Sequence, residues 1–283
     1  MHYYAMDLES FVFSGARKYA GLSSMERKNI DNGTVVRHVE TLLEMLRKHK
    51  TRLTFFIVAE IYEWYPELVD QISREGHEIG YHTHHHTYLV KPGALAGDIA
   101  LSKEFLRKYG VRGFQAPAII LNREDYTTLA VNGITYSSSV YSSLDPYEID
   151  GVLEIPVSTH RISKQDITVR YPARMTLGMF SREIPFGSSL LLKVLGWRRI
   201  SSYITELEKR GKSANLFIHN WQLFSEPRAA RLDRIRDNLR NPLTIPYSFN
   251  VLDEFVSLLK EHHFGCMGEA LRQFKPSTTA QVL

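Results

Sequence analysis

The chain has 283 residues, of which 43% are hydrophobic, 23% charged and 11% aromatic, enough apolar sequence to bury a sizeable core. That balance excludes a disulfide-stapled miniprotein, a collagen-like repeat and a wholly disordered tail. Lys and Arg number 35 against 31 Asp and Glu, so the formal charge of +4 carries no polybasic footprint, and no nucleic-acid partner is expected.

A lone cysteine, Cys266, cannot close a disulfide within the chain, and nothing requires an oxidising compartment. The opening MHYYAMDLESF carries Asp7 and Glu9 where a signal peptide needs apolar residues. The longest apolar runs, Leu53–Ala59 and Ser189–Leu195, fall far short of a bilayer span. A cytoplasmic location without a transmembrane segment is therefore expected, with peripheral attachment at the inner membrane face left open.

Tyr3–Met6 reads as a buried strand that delivers Asp7 and Glu9 to its C-terminal end. The polar stretch Ser14–Gly33 reads as a long loop or irregular insertion. Thr34 is expected to cap a helix whose inward stripe is Val35, Val39, Leu42, Leu43 and Leu46. Thr51–Ala59 is a second strand, and Tyr65–Glu75 a helix with Pro66 in its first turn. Glu78–Tyr81 is a third strand that runs into HTHHH. Ala94–Tyr109 reads as one helix, Val111–Phe114 as a strand and Tyr126–Val131 as a helix, with Gly133–Tyr136 leading into a serine-rich turn. This alternation favours an α/β layer fold or barrel. Gly151–Val157 is a further strand, and 158–188 an extended, irregular connection, with a hairpin left open, that can cover a substrate groove. Ser189–Leu195 and Ile200–Lys209 resume helical patterning, and Asn215–His219 is an apolar strand ending at a histidine. Leu232–Leu239 and Val251–His263 are expected helices, and 275–283 a mobile tail.

The chemistry concentrates at strand ends. In His82-Thr83-His84-His85-His86, a helical turn after the strand would project His82 and His86 the same way, as a pair of neutral imidazoles for one divalent ion. The alternative is an incidental surface tract. Asp7 or Glu9 can add a carboxylate, leaving positions for water and substrate; on a continuing strand the two acids share a face, and on a loop their directions are free. His219 can donate a proton to a departing nitrogen if its strand end enters the cleft, or it is a structural histidine beside Trp221. Gln115 can hydrogen-bond an acid, Pro117 can shape a loop, and Ser137 and Ser138 can form a turn. Tyr141, Trp197 and Trp221 can present sugar-stacking faces, although aromatic residues more often pack in cores.

Several ordered segments together resemble the polysaccharide deacetylase family, the NodB-homology proteins, in a bacterial subgroup with a DVE-like first motif. They are MDLESF at 6–11, the stretch from Thr54 to His86, VRGFQAPAIILN at 111–122, ITYSSSVYS at 134–142, LEIPVS at 153–158 and LFIHNW at 216–221. The resemblance implies one domain over 1–274, a deformed (β/α)7-type barrel with its site at the strand C-terminal ends. It also implies hydrolysis of an N-acyl amide by water activated at a divalent metal, zinc before manganese, cobalt or nickel. Asp7 then corresponds to the general base, Glu9, His82 and His86 to the metal ligands and His219 to the general acid; the roles of Asp7 and Glu9 are interchangeable at this level. Thr83 supports the histidine loop. The implied substrate is a small N-acetyl amino sugar, and a cytoplasmic enzyme fits a nucleotide- or lipid-linked precursor of a surface glycan. Two departures stand out. Gln115 replaces the family's acid-orienting arginine, and Ser137 stands where an aspartate often precedes the paired serines. They motivate two alternatives: a glycan-binding or assembly protein with reduced catalysis, and a hydrolase for another acyl group such as formyl. The sequence carries no signal for oligomeric state.

Overall fold

Strand β1 (His2–Leu8) is buried along its whole length, as a central strand covered on both faces must be. A strand's period of two divides it. Tyr4, Met6 and Leu8 face the helices, whereas Tyr3 and Ala5 belong to a second core with Phe56, Tyr136 and Phe217. That alternation sends Asp7 to the second, concave face.

The computed structural model describes residues 1–13, 17–19, 21–165, 167–224, 226, 232 and 249–274. In chain order the remaining strands are β2 (Thr54–Ile57), β3 (Glu78–Tyr81), β4 (Gly113–Phe114), β5 (Tyr136–Ser137), β6 (Tyr141–Ser142), β7 (Tyr147–Ile149), β8 (Val152–Glu154), β9 (Val157–Ser158), β10 (His160–Arg161), β11 (Glu183–Ile184), β12 (Asn215–His219) and β13 (Phe264–Gly265). Nine form one sheet in the order β12-β1-β2-β3-β4-β5-β8-β7, with β13 also paired to β1. Every pairing is parallel except β7 with β8, so the C-terminal ends of the parallel strands open at one end of the sheet. Gly80 and Gly113 leave room inside the curl: a Cβ on either would stand 2.4 and 2.2 Å from the rings of Phe56 and Tyr136.

The expected barrel is corrected to a curled, partly open mixed sheet. Edge strand β12 approaches the chain beyond β8 without a ladder. Asn215 Nδ2 donates to the carbonyls of Ile155 and Pro156, and Gly187 bridges Ser158 O and Phe217 N–H. Pro156 lacks a ladder donor, so the expected strand Gly151–Val157 divides into β8 and β9.

Local readings need four further corrections. Ser14–Gly33 contains a helix, Ser24–Asp31, started by a capping box in which Ser23 accepts from Glu26 N–H and Glu26 reaches back. Gly33, not Thr34, is the N-cap of Thr34–His49, because Thr34 turns its hydroxyl to the Asp31 carbonyl. Ala59 ends no strand but begins the helix Ala59–Trp64. The expected helix Ala94–Tyr109 breaks at Ser102 into Ala94–Leu101 and Lys103–Tyr109. Within 158–188 the hairpin that the sequence left open forms as the antiparallel β10–β11 pair, with a 3-10 turn at Leu177–Ser181 between its strands. Pro66–Arg74 and Leu252–Glu261 form where expected, the first with proline in its first turn. The expected helix 232–239 beyond its first residue, and the tail 275–283, lie outside the described residues. Among the described residues no helix is long and apolar enough to cross a membrane.

Candidate active site

Asp7 on β1 pairs in register with His219 on β12, which sets these two strand ends side by side. Glu9 follows β1, its backbone N–H donating to Asn220 Oδ1 at 3.0 Å. Glu9 Oε1 lies 3.3 Å from His82 Nε2 and 3.0 Å from His86 Nε2. His219 Nε2 stands 3.7 Å from Asp7 Oδ2 and 3.6 Å from Glu9 Oε1. Trp221 Nε1 donates to the other Glu9 oxygen at 3.2 Å, and its ring stacks on His219 with centroids 4.5 Å apart. Trp221 thus serves the acid and histidine directly.

The histidine loop is not the helical turn that the spacing suggested. Residues 82–87 form no helix; Thr83 and His86 adopt left-handed φ of 61° and 57°, and these kinks bring the rings of His82 and His86 to 5.2 Å. A β-branched residue rarely adopts positive φ, and such strain costs about 1–3 kcal/mol. The surroundings hold it. Thr83 Oγ1 accepts from Thr87 N–H, while the free N–H groups of Ala59 and Glu60 at a helix start bind the Thr83 and His84 carbonyls. His82 is 1% exposed, and its Nδ1 contacts the Gln115 carbonyl at 2.8 Å. A carbonyl only accepts, so the proton sits on Nδ1 and Nε2 presents its lone pair to Glu9. Burial pushes the His82 pKa below its ordinary value, which keeps the ring neutral.

The remaining histidines of the tract have other partners. His84 Nδ1 meets Ser102 Oγ and its backbone N–H donates to Asp98, while His85 Nδ1 donates to Glu60 at 2.8 Å. Glu60 is fully buried and also receives Arg27 Nη2 at 2.7 Å. Burial acts to raise its pKa, but His85 and Arg27 hold it below the usual value. Asp31, at the end of the same unexpected helix, accepts from Ser10 Oγ beside Glu9 and from Tyr65. The insertion therefore braces both ligand loops. Glu60→Ala strips a buried partner from Arg27 and His85 and is expected to cost about 3 kcal/mol in denaturant unfolding; an unchanged midpoint and slope would contradict that coupling.

The carboxyls are driven apart in acidity. Burial and the neighbouring Glu9 charge hold Asp7 well above the carboxylate range. Burial opposes ionisation of Glu9 too, yet the charge of His86 and His219 and the hydrogen bond from His86 bring it well below. Gln222 Oε1 accepts from His219 Nδ1 at 2.8 Å, with Ser189 Oγ at 3.3 Å, so His219 aims Nε2 at the acids. Three convergent donor atoms with a fixed histidine tautomer suit a divalent cation, and Glu9, His82 and His86 lie within 4.8 Å of one another.

Other expected residues stand back. Gln115 contributes its backbone carbonyl; its buried side-chain amide makes no protein hydrogen bond among the described residues. Pro117 begins a buried 3-10 turn. Ser137 bonds Ser139 Oγ within a network around Glu154, which accepts from Tyr126 and from Ser139 N–H. Burial raises the Glu154 pKa to about 7, partly offset by Ser137, Tyr126 and Ser139. The native state therefore holds a proton that the unfolded chain releases near pH 4.5. Stability from this group is full below that pH and falls as pH rises through 7, by ~3 kcal/mol. Glu154→Gln should flatten that slope in urea titrations between pH 4.5 and 7; an unaltered slope would assign it elsewhere.

Asn220, Gln222, Glu60, Asp31 and Glu154 were not anticipated. Gln222 had a signal, the N-cap-x-x-Gln spacing from His219, and so did the Ser23-x-x-Glu26 box; the long-range partners had none.

The polysaccharide deacetylase family pattern matches residues 29–117, which include the histidine loop. The chain is 26% identical over 170 residues to a peptidoglycan-N-acetylglucosamine deacetylase of Bacillus cereus, covering 59% of this chain and 58% of that protein. A second Bacillus cereus protein of that name is 36% identical over 81 residues, 28% of this chain and 38% of the relative. The chain thus spans less than two thirds of these curated relatives. A solved structure described as a probable polysaccharide deacetylase from Pseudomonas aeruginosa PAO1 superposes with a TM-score of 0.54 at 13% identity, over 95% of this chain and 89% of that one, a likeness of fold. In domain and in fold, this chain is a homologue of the polysaccharide deacetylases.

Proposed function

We propose that the protein is a metal-dependent amide hydrolase that removes an N-acetyl group from an amino sugar carried as a nucleotide- or lipid-linked cytoplasmic precursor of a surface glycan. One observation carries this reading: Glu9 Oε1 meets both His82 and His86 Nε2 beside Asp7 and His219. Glu9, His82 and His86 would hold the cation, which when bound supplies Lewis acidity and acidifies water. Two imidazoles favour zinc, and the mixed oxygen and nitrogen set also suits manganese, cobalt or nickel. Glu9 touches both imidazoles and Asp7 does not, which supports Glu9 as ligand and Asp7 as base. Asp7 accepts the proton of water as its oxygen adds to the acyl carbon. His219, held through Nδ1, delivers a proton from Nε2 to the departing nitrogen, so that an amine leaves with acetate rather than an amide anion.

Gln115 favours a second reading, in which the protein binds glycan with reduced catalysis: it stands where the family places an arginine, and among the described residues no arginine pairs with Asp7. Purified protein reconstituted with zinc or manganese should release acetate from N-acetyl amino-sugar precursors, with matched N-formyl sugars separating the two acyl groups. Binding without acetate or formate release across nucleotide- and lipid-linked sugars would favour the second reading.

A further inference from the structure

Segment 158–188 is anchored on both sides. β10 pairs with β11, and Ala173 N–H bonds the Leu121 carbonyl while the Tyr171 ring packs edge-on against Tyr126. A cavity of about 360 Å³ lies within it, lined by Arg161, Arg170, Arg174 and Arg182 and, among the described residues, by one acidic side chain, Glu183. Glu183 is buried and occupied, accepting from Thr159 Oγ1 at 2.6 Å and Ser143 N–H at 2.9 Å. Arg161 donates to the carbonyls of Ser163, Lys164 and Gln165 and so shapes the loop. Arg170, Arg174 and Arg182 make no ion pair among the described residues. All three are exposed side chains on one concavity, so their charges add in attracting an anion there.

Two ring contacts connect the cavity lining to the proposed catalytic histidine. Tyr141 lines the cavity, packs on Phe217 with centroids 6.5 Å apart, and Phe217 packs on the His219 ring at 5.6 Å. A neutral glycan offers three arginines only uncharged acceptors, whereas phosphate oxygens match both their charge and their paired N–H donors.

We propose that this cavity binds the phosphate or diphosphate of the substrate's carrier while the sugar reaches Asp7 and His219. The inference rests on the hydrolase reading for its substrate and on the arginine-lined cavity for its anion. Nucleotide- and lipid-linked sugars share this chemistry.

The test uses the metal-loaded full chain and a triple variant, Arg170→Ala, Arg174→Ala and Arg182→Ala, with a triple Arg→Lys variant as charge control. Calorimetric binding of N-acetylglucosamine 1-phosphate should weaken at least tenfold in the Ala variant, recover in part in the Lys variant and weaken in high salt. Binding of N-acetylglucosamine should change less than twofold. KM for UDP-N-acetylglucosamine, or for N-acetylglucosamine on a farnesyl diphosphate, should rise at least tenfold, and whichever responds identifies the carrier. Arginine-dependent phosphate binding without turnover would retain the anion site while removing the hydrolase reading. Equal binding of the sugar phosphate by wild type and Ala variant, or equal losses for the neutral sugar, would overturn the proposal.

Discussion

His82→Ala should abolish acetate release and lower divalent-metal affinity by more than the ~10–100-fold that loss of an outer-shell partner costs. His82 presents a lone pair because the Gln115 carbonyl holds its Nδ1 proton, and its neutral ring is already aimed at Glu9. No neighbouring side chain can replace it, since His84 and His85 are held by Ser102 and Glu60. Metal titration followed by calorimetry reads the affinity, and thermal unfolding with and without zinc reads the linkage. An ion at about a thousand times its dissociation constant stabilises the wild type by about 4 kcal/mol, a gain the variant should lose. His84→Ala is the control. An incidental histidine tract would lose affinity equally at either position, whereas the proposed Glu9, His82 and His86 set leaves His84→Ala binding metal as the wild type does.

Asp7→Asn and His219→Gln should each lower kcat by about 10²- to 10⁴-fold, the usual contribution of a positioned acid or base. Metal affinity should stay within a fewfold, because the Glu9, His82 and His86 set is intact in both. Asparagine keeps the size of the buried Asp7 side chain but cannot accept the water proton. Glutamine at 219 cannot deliver a proton to the leaving nitrogen. Single-turnover release of acetate, alongside metal titration of each variant, separates chemistry from binding. Wild-type kcat in either variant would remove that residue from the reaction, and loss of the metal would make it a ligand.

Much of this was legible because it is local. The alternation in Tyr3, Ala5 and Asp7 assigns the acid to the concave face, and the same alternation sends Phe217 and His219 there. The histidine spacing pointed to His82 and His86 through a helical turn, and the structure brings the two rings together by left-handed Thr83 and His86 instead. Helical periodicity cannot register positive φ, which depends on the helix start at Ala59 that receives the loop carbonyls. The helix Ser24–Asp31 was written locally in its capping box and was passed over because its sequence is polar.

What the sequence alone determined is the identity of the side chains able to act, the strands that end beside them, and a family resemblance. Tertiary structure decided the rest. Glu9 meets His82 across 73 positions and Trp221 across 212, Asp31 holds Ser10 from within an insertion read as loop, and the sheet curls without closing. Periods of 2 and 3.6 specify which face a side chain joins, because they arise from a residue's own backbone geometry. They carry no record of which strand lies alongside, and that pairing, set by burial and hydrogen bonding across the whole sheet, is what assembles the site.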